Sequence, residues 1–136
     1  MNPFTRFLRS LSPRTQTPEI EEFILRWDVV EVVVVSVYKD RLLTPEVRSA
    51  YAEARAWLRQ HAPHWRAWFA PYWPQTLQGG RPTPADPFEF ILSRAGHADD
   101  FAEDWEAMQA LAAAREALNR YLLALQSRHR SGNGRR

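Results

Sequence analysis

The sequence predicts an all-α, single-domain helical bundle, and three observations lead to this prediction. Apolar residues recur at intervals of three and four along most of the 136-residue chain, as they do on one face of an α-helix. Two Thr-Pro-Glu triplets begin at Thr17 and Thr44, and each combines a capping hydroxyl, a proline suited to the first helical turn and an acid at the positive end of the helix dipole. The Val-rich stretch, residues 28–38, has no second strand-like segment with which it could pair in a sheet.

Charge divides the chain into three parts: a basic amphipathic arm (1–16), a bundle domain (17–127) and a basic tail that we expect to be disordered (128–136). The two terminal parts hold seven arginines and no acid: Arg6, Arg9, Arg14, Arg128, Arg130, Arg135 and Arg136. The bundle domain has eleven basic residues against sixteen acidic ones, a net charge of −5. A nucleic acid or an anionic membrane surface would therefore meet the termini first.

The N-terminal arm has a short amphipathic helical pattern. Its apolar residues Phe4, Phe7, Leu8 and Leu11 are spaced i, i+3, i+4 and i+7. About three turns of helix are marginal in water, so this segment would need a surface to pack on. A membrane, a partner protein and the arm's own domain all remain open as that surface.

The first helix is predicted from Pro18 to about Arg41, through the Val-rich stretch. Valine favours strands because its branched side chain loses rotamer freedom in a helix, but no turn residue separates the valines from the helical start. One apolar stripe is predicted on this helix: Ile20, Phe23, Ile24, Trp27, Val30, Val34 and Tyr38.

Glu31 lies within that stripe, where an unpaired carboxylate would cost several kcal/mol. Arg115 interrupts an apolar seam on the last helix in the same way. We predict that the two side chains meet as an ion pair or face one polar cavity. A functional carboxylate at a cleft is the alternative.

The second helix is predicted from Pro45 to about Gln60, and Arg48, Arg55 and Arg59 line one of its faces. This stripe suggests either a track for phosphates or, as we favour, a solvated face. Next comes an aromatic region with a predicted short helix between Pro63 and Pro71. There Trp65 and Trp68 are typical of a core, or of a binding surface in which Trp is an anchor.

The rest of the chain is predicted to form a loop (75–85), a short helix from Asp86-Pro87 to about Ala95-Gly96, and a last helix from near His97 to about Ser127. The last helix has a near-heptad register of Phe101, Met108, Arg115 and Leu122 at one position, and Asp104, Leu111, Leu118 and Leu125 at the other. The fold would then be a bundle with a Trp-rich core.

Few patterns in the sequence indicate catalysis. Arg59 and His64 form an R-x4-H pair that resembles the motif of HEPN domains, all-helical bacterial ribonucleases in which the pair acts from two subunits at a dimer cleft. The resemblance covers six residues, and Pro63 falls inside it. Asp99, Asp100, Glu103 and Asp104 form an acidic cluster, but acids are also favoured at a helix start. We predict no metal and no cofactor.

The expected function is a non-catalytic protein-interaction or oligomerisation module. The candidate binding residues are Glu31, Arg115, Arg59, His64, Trp65 and Trp68. The alternatives are a binder of nucleic acid or anionic surfaces through the basic termini, and a small helical enzyme such as an Arg-His ribonuclease. We expect a cytoplasmic protein without a transmembrane segment, because the Val-rich stretch is shorter than the roughly 20 apolar residues a span requires.

Overall fold

The computed structural model describes residues 18–74, 86–94 and 98–134. These residues form four α-helices: α1 (Pro18–Tyr38), α2 (Pro45–Phe69), α3 (Pro87–Arg94) and α4 (Trp105–Gly134). Two short 3₁₀-helices, Ala70–Tyr72 and Ala98–Phe101, follow α2 and precede α4. The described residues contain no strand, so the predicted all-α fold is confirmed.

Helix α1 includes the whole Val-rich stretch, so the prediction of helix over strand is confirmed. The helix ends at Tyr38, before the predicted Arg41, because the chain turns into the left-handed region at Asp40 (φ 58°). The amides of Asp40 and Arg41 donate to the carbonyls of Val37 (3.0 Å) and Ser36 (2.9 Å). This pair of hydrogen bonds satisfies the last carbonyls of the helix as a Schellman motif does.

Helix α2 corrects two predictions, because it continues past Gln60 and through Pro63 to Phe69. Its start is as predicted, since the Thr44 hydroxyl accepts a hydrogen bond from the Val47 amide at 3.2 Å. An interior proline costs about 3 kcal/mol, because it removes one amide donor and crowds the preceding turn. Burial of the Trp65 and Phe69 rings gains about 1.5–3 kcal/mol each, so packing outweighs the break that the sequence suggests.

The limits of α4 also differ from the prediction. Residues 98–101 form a separate 3₁₀-helix, Glu103 has φ 57°, and α4 begins only at Trp105. Asp104 is the cap, because its Oδ1 accepts a hydrogen bond from the Ala107 amide at 3.0 Å. The helix then extends beyond Ser127 to Gly134, into the segment that the sequence predicts to be disordered. Residues 135 and 136 lie outside the described residues.

An aromatic cluster from three helices forms the centre of the core, as the predicted Trp-rich core requires. Phe88 of α3 lies in its middle, with ring centroids 4.9 to 5.7 Å from those of Phe23, Trp27, Trp65 and Phe69. All five rings are completely buried. Helix α4 adds Leu111, Leu118 and Leu122, as predicted, and also five buried alanines that allow close packing: Ala107, Ala110, Ala113, Ala114 and Ala117.

Asp86 holds the start of α3 against α2. Its Oδ1 accepts hydrogen bonds from the amides of Phe88 (3.0 Å) and Glu89 (3.1 Å), as a helix cap does. Its Oδ2 accepts a hydrogen bond from Arg66 Nε of α2 at 2.6 Å. The carboxylate is nearly buried, so both oxygens are satisfied within the fold.

We predict that Asp86→Ala lowers the free energy of unfolding by about 1–2 kcal/mol, because it removes the cap of α3. Asp86→Asn keeps an oxygen acceptor for the two amides and should recover most of this loss. Chemical denaturation of both variants and of Arg66→Met measures the difference. Equal losses in Asp86→Ala and Asp86→Asn would show that the carboxylate charge, and not the cap, stabilises this end of α3.

Candidate functional site

Glu31 and Arg115 form an ion pair between α1 and α4, which confirms the predicted contact. The two side chains differ in exposure, since the Glu31 carboxylate is 3% exposed and the Arg115 side chain 54% exposed. The guanidinium therefore reaches from solvent to a carboxylate that lies inside the core. This arrangement is an ion pair at the edge of the bundle and not a pair buried on both sides.

The carboxylate has few other partners. Arg115 pairs with Oε1, and Oε2 has no hydrogen-bond partner among the described residues. The indole N–H of Trp27, one turn earlier on α1, is also buried and unpaired within the described part of the chain. A buried carboxylate that depends on one arginine stabilises the fold only while that arginine stays in place. Catalysis would require Glu31 to reach a substrate, which its burial opposes.

We predict an asymmetric result when the two partners are removed separately. Arg115→Met should cost about 3 kcal/mol, because it leaves the charge of Glu31 buried and uncompensated. Glu31→Leu should cost much less, because Arg115 can return to water, and the double variant should come within about 1 kcal/mol of the parent protein. Urea unfolding of the three variants measures these free energies as a double-mutant cycle.

The matched control is Arg120→Met, because Arg120 pairs with Glu116 one turn away on the surface of the same helix. Exposed pairs of this kind contribute about 0.5 kcal/mol. Equal and additive losses from Glu31→Leu and Arg115→Met would contradict the asymmetry.

Arg48 and Arg59 of α2 are exposed and Arg55 is half-buried, so this stripe faces solvent, and its members also bind groups of the same chain. Arg55 Nε and Arg59 Nη1 both donate to the carbonyl oxygen of Leu92 at 3.2 Å, near the end of α3. Arg48 forms a bidentate pair with Asp99, with both N–O distances 3.1 Å, and the pKa of Arg48 is raised by that hydrogen bond and charge. Arg66 of the same helix binds Asp86, so the partners Asp86, Leu92 and Asp99 follow α2 in reverse order, and α3 runs antiparallel to α2.

Arg59 and His64 are not brought together as an acting pair. They lie five residues apart on one continuous helix, which places them about 140° apart around its axis. Arg59 is held at the Leu92 carbonyl, whereas His64 is exposed. The other nearby histidine, His61, stacks on Trp57 at a centroid distance of 4.2 Å.

The two predicted tryptophan anchors lie in the interior to different degrees. Trp65 is fully buried, and its indole N–H donates to the carbonyl of Leu58 at 2.8 Å. Trp68 is half-buried and stacks on Tyr121 of α4, with centroids 6.2 Å apart. Both rings pack between helices, which agrees with the core interpretation.

The acidic cluster also takes part in the fold, because Asp99 pairs with Arg48 and Asp104 caps α4. Among the described residues, no group of three His, Asp or Glu side chains is arranged to hold a metal ion. Within the same residues, no helix combines the length and hydrophobicity needed to cross a membrane.

Only part of the basic termini lies within the described residues. Arg128 of α4 donates to the Tyr72 hydroxyl at 3.3 Å, and Arg130 belongs to the same helix. The remaining five lie outside: Arg6, Arg9, Arg14, Arg135 and Arg136.

Tyr51 of α2 is a buried group that the sequence does not single out. Its ring packs edge-on against Phe101, and its hydroxyl is buried without a hydrogen-bond partner among the described residues. Burial raises the pKa of the hydroxyl above its ordinary value, and Asp100 raises it further while Arg55 lowers it. The neutral hydroxyl is thus favoured in the folded protein.

We predict that stability falls as the pH rises above about 10. The unfolded chain releases the Tyr51 proton near its ordinary pKa, before the folded protein does, so the unfolded state is favoured between the two values. Tyr51→Phe should reduce this loss, and at neutral pH it should be neutral or stabilising by up to about 1 kcal/mol, because it removes an unpaired polar atom.

Urea unfolding at neutral and at alkaline pH measures the effect, with Tyr38→Phe as a control for the loss of a tyrosine. The pKa of Tyr121 is also raised by burial, so part of the decrease in the free energy of unfolding at alkaline pH should remain in every variant. If Tyr51→Phe lost as much free energy of unfolding between neutral and alkaline pH as the parent protein does, Tyr51 would not be the cause of this loss.

The neighbouring rings of Trp105 and Tyr38 form a surface that the sequence did not indicate, and we call it the Trp105 surface. Trp105 is 49% exposed at the start of α4, and its ring lies 6.1 Å from the ring of Tyr38 at the end of α1. Leu42, in the α1–α2 connection, is 98% exposed. The predicted last helix includes Trp105 in its interior, and the sequence gives no indication of its exposure.

Comparison of the chain with protein-family models, curated proteins and solved structures finds no match.

Proposed function

We propose that this protein is a non-catalytic helical interaction module that binds a basic, apolar segment of a partner protein at the Trp105 surface. The observation that carries the proposal is the half-exposed Trp105 ring beside Tyr38, on a bundle whose core is complete without it. Tryptophan and tyrosine are the usual anchors of protein interfaces, because they bury a large area with few rotatable bonds.

The charges near this surface support a basic partner. Five acids lie at residues 99–106, although Asp99 already pairs with Arg48 and Asp104 caps α4. Asp40 adds a further exposed carboxylate in the connection after Tyr38, although Lys39 and Arg41 flank it. Arginine side chains of a partner would be attracted by these acids and would also stack on the Trp105 ring.

The engaged arginines of α2 argue against nucleic acid as the first choice. Arg48, Arg55 and Arg59 all bind groups of the protein itself, which would compete with binding to phosphates. Glu31 is likewise buried against Arg115, and Arg59 and His64 lie on different sides of α2. These placements support a binding function over an enzymatic one.

The prediction is that the full chain binds a fluorescein-labelled amphipathic helix made of leucine and arginine, and that Trp105→Ala weakens binding by at least about tenfold. Fluorescence anisotropy measures both affinities. Leu123→Ser is the matched control, because Leu123 is also half-exposed, at 54%, but lies 18 residues along α4. It should leave the affinity within about twofold of the parent value, as a residue outside an interface does.

A second peptide with every arginine replaced by glutamate tests the role of charge, and it should bind far more weakly. Equal binding of the two peptides, or equal affinities of Trp105→Ala and the parent chain, would overturn the proposal. A labelled single-stranded oligonucleotide tests the nucleic-acid alternative. That alternative would be favoured if the parent chain and Trp105→Ala bound the oligonucleotide equally well and the affinity fell steeply with salt.

A further inference from the structure

The solvent-facing side of α4 has an exposed apolar residue towards each of its ends. Trp105 is 49% exposed at the first residue of the helix, and Leu123 is 54% exposed. Eighteen residues separate them, which is five complete helical turns, so both lie on one line along the helix, about 27 Å apart. Buried residues of α4 lie on the opposite side, among them Ala110, Ala114 and Leu118. The line therefore points away from the core of its own chain.

The residues between these two allow a second helix to come close. Ala112 and Glu116 are exposed and lie within about 20° of the line. Alanine is small, and the charge of Glu116 already pairs with Arg120 one turn later. The solvent-facing side of a surface helix is normally polar, so two large apolar residues on one line favour a contact there. We call this set the outer line of α4: Trp105, Ala112, Glu116 and Leu123.

Charge along this part of the chain changes sign from one end to the other. Residues 99–106 contain five acids and no basic residue, whereas residues 117–134 contain three arginines and no acid. Two of the acids serve the fold, as the partner of Arg48 and as the cap of α4. The dipole of one helix favours this distribution, and it also makes two copies of the helix complementary when they lie antiparallel. The other three acids are exposed: Asp100, Glu103 and Glu106.

We infer that the partner bound at the Trp105 surface is a second copy of this chain, whose α4 lies antiparallel along the outer line. This inference rests on the proposed function, because it identifies the basic, apolar segment as the C-terminal half of α4. A twofold axis midway between Trp105 and Leu123 places each of these residues against the other one in the second copy, so the apolar contact forms twice. An interface of this symmetry is closed, so the assembly stops at a dimer.

The same arrangement brings opposite charges together at the margin of the contact. Arg120 and Glu106 are both exposed, and they lie on the same side of the outer line, about 60° and 100° from it. Equivalent sides of two antiparallel helices lie together when a twofold axis relates them. Arg120 of one copy is then within about 3 Å, measured along the helix axis, of the level of Glu106 in the other. Such charge pairs fix the orientation of an interface more than they raise its affinity.

Sedimentation equilibrium of the full chain tests the inference. The parent chain should associate reversibly to a dimer, and Trp105→Ala and Leu123→Ser should each raise the dissociation constant of the dimer at least about tenfold. Leu25→Ser is the matched control, because Leu25 is also 54% exposed but lies on α1. It should leave the dissociation constant within about twofold of the parent value. A parent chain that stays monomeric at about 1 mM, or a dimer that Leu25→Ser weakens as much as Leu123→Ser does, would overturn the inference.

Charge reversal tests the antiparallel arrangement. Glu106→Arg and Arg120→Glu should each weaken self-association, because like charges then meet twice in every dimer. An equimolar mixture of the two variants should dimerise with an affinity within about threefold of the parent value, because each chain then carries the sign that the other requires. An effect on folding could not produce this recovery, since it depends on contact between two different chains. A mixture that associates as weakly as each variant alone would contradict the arrangement.

The peptide assay separates this inference from the proposed function. Leu123 belongs to the segment that is bound and not to the Trp105 surface. Leu123→Ser should therefore lose self-association and keep its affinity for the leucine-arginine peptide, measured at chain concentrations below the dissociation constant of the dimer. A parent chain that binds the peptide but remains monomeric would exclude a second copy as the partner and would leave the Trp105 surface as a binding site. A chain that neither binds the peptide nor associates would contradict both proposals.

Discussion

The central constraint on this bundle is the attachment of α3. This helix has only eight residues, so it cannot be stable alone and depends on contacts with the other helices. Phe88 places its ring among four aromatic rings from α1 and α2, so one side chain connects the short helix to both long helices. From outside, Asp86 and the Leu92 carbonyl are bound by arginines of α2. The aromatic contacts hold α3 from within the core, and the arginines fix its direction along α2.

This use of arginine bears on function. A stripe of basic residues on a helix suggests an anion-binding surface, but here its members bind a carboxylate and a backbone carbonyl of the same chain. Glu31 is also engaged, by Arg115. An exposed aromatic ring is found instead at Trp105, at the start of α4.

The predictions that succeeded and those that failed differ in the kind of interaction involved. The buried stripe of α1 follows from helical periodicity, and the contact of Glu31 with Arg115 follows from two charges placed in apolar surroundings. Pro63 was misread as a helix boundary, because its local cost is visible in the sequence and the burial of Trp65 and Phe69 is not. The start at Trp105 was missed for a related reason, since Asp104 resembles an interior acid until its bond to Ala107 is seen.

By itself the sequence determined the all-α fold, the helical state of the Val-rich stretch and the need for a partner at Glu31. These follow from local periodicity, from capping and from the cost of burying a charge, all of which act within one helix. Only the tertiary structure decided that α2 continues through Pro63, that its arginines bind Asp86, Leu92 and Asp99, and that Trp105 faces solvent. Those outcomes depend on which groups meet across the bundle, and residues 51 positions apart, such as Arg48 and Asp99, are joined only by the packing of the whole chain.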